Sequence, residues 1–350
     1  MSAESLTWLN TQTLIGQTDI RGNAWHYLAS EQGTESNHYP GFIPVEDIRR
    51  RLFSWEHQIG DVCSHVLTPE GVTTFTDPTR QAIIRPAGAL SPDDKGGIMG
   101  LFKSGYLGHG YAPWLLDQVA AILDDELGAT GAGLLRMGAQ AFVCVSVPDT
   151  ITTPSGVEFL PNLLAVTSFD GSLATTYKRC VTNVVCDNTM AAGLREAGGM
   201  FKVKHTKYSN AKLIDARAAL ELVHSIGEDF TAQVEELTNT TVTDAQFAAF
   251  LESLAPRHET DGTLKTGRGL TMATNKHAAL KNLIANDQRV QPWAGTAYGV
   301  LQAVNTYEHH IASPGKSDAA RAESNMNRAV SGGVDTLDRG TLATLELVLA

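Results

Sequence analysis

Lys202, Lys204 and Lys207 recur through the stretch Phe201-Lys-Val-Lys-His-Thr-Lys207. Successive side chains of an extended strand point to opposite faces, so Phe201 and Val203 take one face and Lys202 and Lys204 the other. The expected element is a half-buried strand with a basic outer surface. Such a surface suits a polyanion. Single-stranded nucleic acid in particular is held by a positive groove together with aromatic faces on which bases stack. Tyr177, Lys178, Arg179 and Tyr208 lie near these lysines in sequence, and Arg136 precedes an apolar run that feeds the same region. Strand alternation separates Lys178 from Arg179, so at most one of them shares a face with Lys202 and Lys204. The competing reading is an edge strand whose lysines only prevent aggregation.

Other chemistries find less support. No G-x-x-x-x-G-K-[ST] phosphate loop occurs, and Gly105-Tyr-Leu-Gly-His-Gly110 lacks both the spacing and the feeding strand of a dinucleotide fingerprint. It reads as a turn ahead of a helix. Glu308, His309 and His310 are adjacent. Neighbours on a helix project about 100° apart, a poor arrangement for chelating one metal. Asp124-Asp-Glu126 closes a helix, and no G-x-S-x-G nucleophile turn is present. The expectation is a non-catalytic protein with no cofactor and no metal site.

The chain has 350 residues and a formal net charge of -11. Residues 172–217 hold eight Lys or Arg against three acids, a local +5 that leaves -16 for the remainder. Residues 218–256 hold seven acids and no Lys or Arg. This asymmetry fits one polyanion-binding face on a molecule that otherwise repels polyanions. The acidic helices could alternatively meet a basic protein partner. No apolar run is long enough to span a bilayer, and no secretion signal opens the chain. The four cysteines include no C-x-x-C pair. Cys144 and Cys180 sit in apolar runs, so buried thiols in a reducing cytoplasm are expected.

The elements that position these residues follow from periodicity. Val45–Ile59 reads as a helix on which Arg49, Arg50 and Arg51 diverge. Tyr111–Leu127 reads as a helix with Pro113 in its first turn. Apolar runs at 141–147, 157–169 and 173–185 predict a three-stranded meander. Pro161 marks an edge or bulge, and Asp170-Gly171 a tight type I′ turn. Asp187 or Asn188 caps an expected helix running to about Ala197, and the strand over 200–205 follows. Beyond it, Leu213 to Leu237 repeats at helical spacing, and Thr243 with Gln246 suggests a capping box. A loop over 256–270 and helices near 272–286, 296–312, 318–330 and 338–349 complete the chain. The fold class is therefore α+β: a central antiparallel β-meander flanked by helices, followed by a mainly helical C-terminal region. The divisions are an irregular segment over 1–70, a core with the basic strand over 71–212, and helices over 213–350.

Several motifs resemble one family. Val184-Val-Cys-Asp-Asn-Thr189 with Lys204-His-Thr206, Asp170-Gly-Ser172 and Leu107-Gly-His-Gly-Tyr-Ala-Pro113 are similar to patterns of the phage and plasmid family known as domain of unknown function 932. Trp25-His26 resembles its N-terminal W-H-G-L-G element, with Tyr27 and Ala29 replacing both glycines, and Asn183 stands where many members carry arginine. The resemblance implies a phage-encoded protein working inside a bacterium. In outline, helix, meander, helix and basic strand are also similar to the core of phage single-strand annealing proteins. These need no nucleotide and act as homo-oligomers. The leading expectation is a protein of recombination or replication that binds and anneals single-stranded DNA. The alternatives are an acidic protein modulating a host or phage enzyme, and a metal-dependent enzyme using His309 or His310.

Overall fold

The computed structural model describes residues 12–16, 35–121, 123, 127–146, 150–183, 189–191, 200–206, 229–312 and 318–350. Strand β1 (Thr13–Ile15) leads to helix α1 (Val45–Arg51). A three-stranded sheet follows, formed by β2 (Gln58–Thr68), β3 (Gly71–Arg85) and β4 (Gly97–Lys103). A π-helical turn, Ala112–Leu116, runs into the short helix α2 (Asp117–Ala120). Strands β5 (Gly128–Leu135), β6 (Gln140–Ser146), β7 (Ile151–Thr152), β8 (Glu158–Ser168), β9 (Thr175–Asn183), β10 (Thr189–Ala191) and β11 (Met200–Val203) come next. The C-terminal part is helical: α3 over 229–239, α4 (Asp244–Leu254), α5 (Gly267–Asn286), α6 (Ala297–Thr306) with a π turn over Tyr307–Ile311, α7 (Asp318–Ser331) and α8 (Gly333–Leu349). The class is α+β, as the periodicity implied.

The main antiparallel sheet has eight strands among the described residues, in the order β1-β5-β6-β8-β9-β10, with β11 also on β9 and β7 on β8. The predicted meander is its centre, β6-β8-β9. Both faces of that centre are covered. One presents Leu134, Val143, Val145, Leu163 and Tyr177 to Tyr111, Leu115 and Val119, and to Ile48 and Leu52 of α1. The other presents Phe142, Leu164, Val166 and Cys180 to Ala329, Val330 and Val334 of α7 and α8. A strand covered on both sides is apolar at nearly every position. This is why these runs read as continuous. A third cluster joins Phe159 and Val181 to Phe230, Phe250, Leu280, Tyr298 and Leu342 of the helices.

Some elements differ from expectation. Pro161 lies inside a central strand, yet β6 stops pairing at Asn162 and β7 begins at Phe159. The missing N–H therefore falls in a gap between two partners, where no ladder bond is lost. The β8–β9 connection is not a two-residue type I′ turn, because Asp170 lacks the positive φ that such a turn needs. Its carboxylate instead accepts the Ser172 N–H at 2.9 Å, and only Gly171 is left-handed, at φ 73. The expected helix over 187–197 is overturned at 189–191, which pair with β9 as Thr189↔Thr182 to Ala191↔Cys180. The rest of that segment lies outside the described residues. An open half-edge of β9 offers ladder bonds there, and tertiary pairing overrides the local cap signal. Strand β2 and the hairpin it forms with β3 begin well ahead of residue 70. Helix α1 ends at Arg51 and its three arginines diverge: Arg49 to Asp117 at 2.5 Å, Arg50 to Glu35 at 2.5 Å, and Arg51 to the Ser36 carbonyl at 2.7 Å. The capping box forms, with Gln246 N–H donating to the Thr243 hydroxyl.

Candidate nucleic-acid interface

Five rings from four chain segments form one column. Trp114 stacks on His109 at 3.6 Å between centroids, His109 on His205 at 4.0 Å, His205 on Tyr106 at 5.1 Å, and Tyr106 on Phe102 at 3.9 Å. Each pair lies within 18° of parallel. The Trp114–His109 end is inside the protein, whereas His205, Tyr106 and Phe102 are half-buried. His57 flanks the column against Phe169, with ring centroids 4.5 Å apart. Its Nδ1 and the nearby Trp55 Nε1 are buried without a hydrogen-bond partner.

Glycines make room for these rings. A Cβ on Gly108 would sit 2.5 Å from the His57 Nε2, and one on Gly171 would sit 2.7 Å from the Phe102 ring. Gly171 also needs its positive φ, which other residues adopt at a cost. The segment 105–110, expected to be a turn alone, therefore carries Tyr106 and His109 into the column. Three motif segments meet here: 107–113 through His109, 170–172 through Gly171, and 204–206 through His205.

The interior of the column is neutral. Burial first, then repulsion from His205 and His57 whenever those rings are protonated, holds His109 down at about 3. Burial first, then the charge of His57, holds His205 at about 4 against a bond to the Leu107 backbone that raises it. Burial lowers His57 and raises Tyr106. A hydrogen-bonded chain links the imidazoles. Tyr106 Oη meets His205 Nδ1 at 2.9 Å, His205 Nε2 lies 3.4 Å from Thr167 Oγ1, Thr167 meets Thr175 Oγ1 at 2.8 Å, and Thr175 meets His109 Nδ1 at 2.6 Å. A hydroxyl beside a neutral imidazole resembles a nucleophile with its base. Here, however, Thr167, Thr175 and His109 are each 0% exposed, so no substrate reaches that pair. The exposed end offers flat aromatic surface. Lys103 follows Phe102 and Lys204 precedes His205 in sequence, whereas Lys202 lies on the sheet face opposite Val203 and Thr175, away from the column. All three lysines are exposed and form no ion pair among the described residues.

The residues singled out in the sequence divide. Lys202 is exposed on β11, opposite the buried Val203 as alternation requires, and Lys204 is exposed just beyond its end. Lys178 shares the face of Lys202 but is covered by α8, and its Nζ pairs with Asp335 at 2.9 Å in the interior. Tyr177 is buried and its hydroxyl donates to the Trp114 carbonyl, so it presents no face to a base. Both leave the interface because the sheet is covered on two sides. Arg179 projects oppositely to Lys178 and lies 4.0 Å from Asp229. Arg136, in the β5–β6 turn at φ 51, pairs with Asp170 at 3.3 Å. Lys207 and Tyr208 lie outside the described residues. His309 is buried in the π turn, where burial holds it at about 3. Among the described residues no group of three or more His, Cys, Asp or Glu is arranged to hold a metal, and no helix is long and apolar enough to cross a membrane.

Comparison with known proteins gives one match. The profile of the family described as Domain of unknown function (DUF932) covers residues 104–331. No curated protein and no solved structure matches the chain. The matched span contains Tyr106, His109, Trp114 and His205 of the column, whereas His57 and Phe102 precede it.

Proposed function

Taking as premise that the chain belongs to the domain of unknown function 932 family, we propose that it binds single-stranded DNA at the open end of the ring column. The carrying observation is the half-buried outer end of the parallel ring column, with exposed Lys103 and Lys204 next to its members Phe102 and His205 in sequence and without an ion pair among the described residues. Lys103, Lys202 and Lys204 would neutralise phosphates, and Phe102, which ends the column, would offer its outer face to a base, backed by Tyr106 and His205 stacked behind it. Neutral imidazoles suit stacking, since the charge needed for phosphate comes from the lysines. A phage-encoded role in recombination or replication, exercised in the bacterial cytoplasm by a homo-oligomer, accords with this chemistry.

Fluorescence anisotropy with a labelled single-stranded oligonucleotide tests the reading. Lys202→Glu with Lys204→Glu should weaken binding at least tenfold. Phe102→Ala should weaken it by about 5- to 150-fold, the range that about 1–3 kcal/mol of base stacking implies. Tyr177→Phe, altering a buried hydroxyl, should leave affinity unchanged. Equal affinity across all variants would remove the proposed surface.

A further inference from the structure

The β2–β3 hairpin projects as an arm. Among the described residues, strand β2 pairs with β3 alone, and β4 covers the other edge of β3 only from Arg80 to Arg85. Between residues 61 and 80 almost every position is exposed on both faces. Leu67 is 83% exposed, Val72 67%, Phe75 59% and Val66 45%. A two-stranded ribbon with both faces in water is marginal by itself. Exposed β-edges are ordinarily guarded by lysine, proline or a bulge. Beyond the irregularity at Asp61/Val62, the outer edge of β2 has none of these through Thr68. The free edge of β3 is guarded, by Pro78 and by Asp77, whose carboxylate takes the Thr79 N–H at 2.9 Å.

We propose that β2 pairs edge to edge with β2 of a second copy, joining two arms into a four-stranded antiparallel sheet. Charge selects this occupant. Residues 62–76 contain no Lys or Arg, and their only acid is Glu70 at the tip. The arm therefore offers nothing to a polyanion and little to a basic protein. A chain of net charge -11 can meet its own copy there without like-charge repulsion. Antiparallel pairing of one strand with itself is two-fold symmetric, so it consumes the edge and closes at a dimer. Centred on Ser64, it sets Val62 against the partner's Val66 on each side of the dyad, continuing the face that carries Phe75. This contact does not depend on DNA binding, and its test contains no nucleic acid.

Sedimentation of the full chain at micromolar concentration should give a dimer. Ser64→Lys places two ammonium groups face to face across the dyad and should give a monomer with an unchanged circular dichroism spectrum. Thr73→Lys, on the same face but on the outer strand β3, away from the dyad, should remain dimeric. In a Cys63→Ser background, Ser64→Cys should form an intermolecular disulfide under mild oxidation, which covers the case of a misfolded lysine variant. A monomeric wild type overturns the proposal. So does a dimer that survives Ser64→Lys, a loss of dimer in both lysine variants, or failure of the cysteine pair to cross-link.

Discussion

His109 and His205 enter the folded state neutral, and this has a sign. Their folded values, about 3 and about 4, lie below the usual 6.5. Between those limits the unfolded chain binds more protons than the folded one, so stability falls as pH drops. It should be constant above about pH 7 and decline from there toward pH 4. Thermal melts across that interval check this, and His205→Gln should flatten part of the decline. A second residue-scale prediction concerns Lys178. Replacing it with Met leaves Asp335 buried and unpaired, which should cost about 3–5 kcal/mol in urea denaturation. Adding Asp335→Leu should recover most of that loss. Alternation correctly separated Lys178 from Arg179 and set Lys202 and Lys204 opposite Val203. It could not reveal that α8 covers Lys178, because pattern shows which residues share a face and not what packs on it. The ring column was less legible still. Its members at 102, 106, 109, 114 and 205 are joined by folding alone, and a lone histidine in a glycine-rich stretch carries no periodic signal.

At the scale of elements, local chemistry was a good guide where it was self-contained. The Thr243–Gln246 box forms from four consecutive residues and needs no tertiary partner. Thr243→Ala should destabilise the chain by about 1 kcal/mol, read from the chemical denaturation midpoint. The helices beyond it fall close to their expected positions, because α5, α6 and α8 share one core with Phe159 and Val181, and α7 packs on Leu164 and Val166. Elements fixed by distant partners were harder to read. The segment 189–191 has a cap signal before it, but the unfilled edge of β9 recruits it as a strand. Strands β2 and β3 were obscure for another reason. With both faces exposed, they show no apolar–polar alternation, and their threonines resemble loop composition. Strand β5, rich in Gly and Ala, has Thr130 as its only β-branched residue and so carries little of the signal that marks a strand.

For the whole molecule, the uneven charge distribution is the feature most tied to function. Of the eight basic residues over 172–217, Lys178 is neutralised internally, whereas Lys202 and Lys204 are exposed and form no ion pair among the described residues. An acidic body carrying a small basic face should bind a polyanion with pronounced salt dependence and little affinity elsewhere on its surface. The central claim is that these lysines meet the phosphates of a single strand. Titration of a single-stranded oligonucleotide at a series of salt concentrations tests it most directly. Affinity should fall steeply with salt. The logarithmic slope should shrink by about 1.4 when Lys202 and Lys204 are both replaced by Gln, since each phosphate contact on single strands contributes about 0.7. No binding at low salt, or a slope unchanged by the double substitution, would contradict the account.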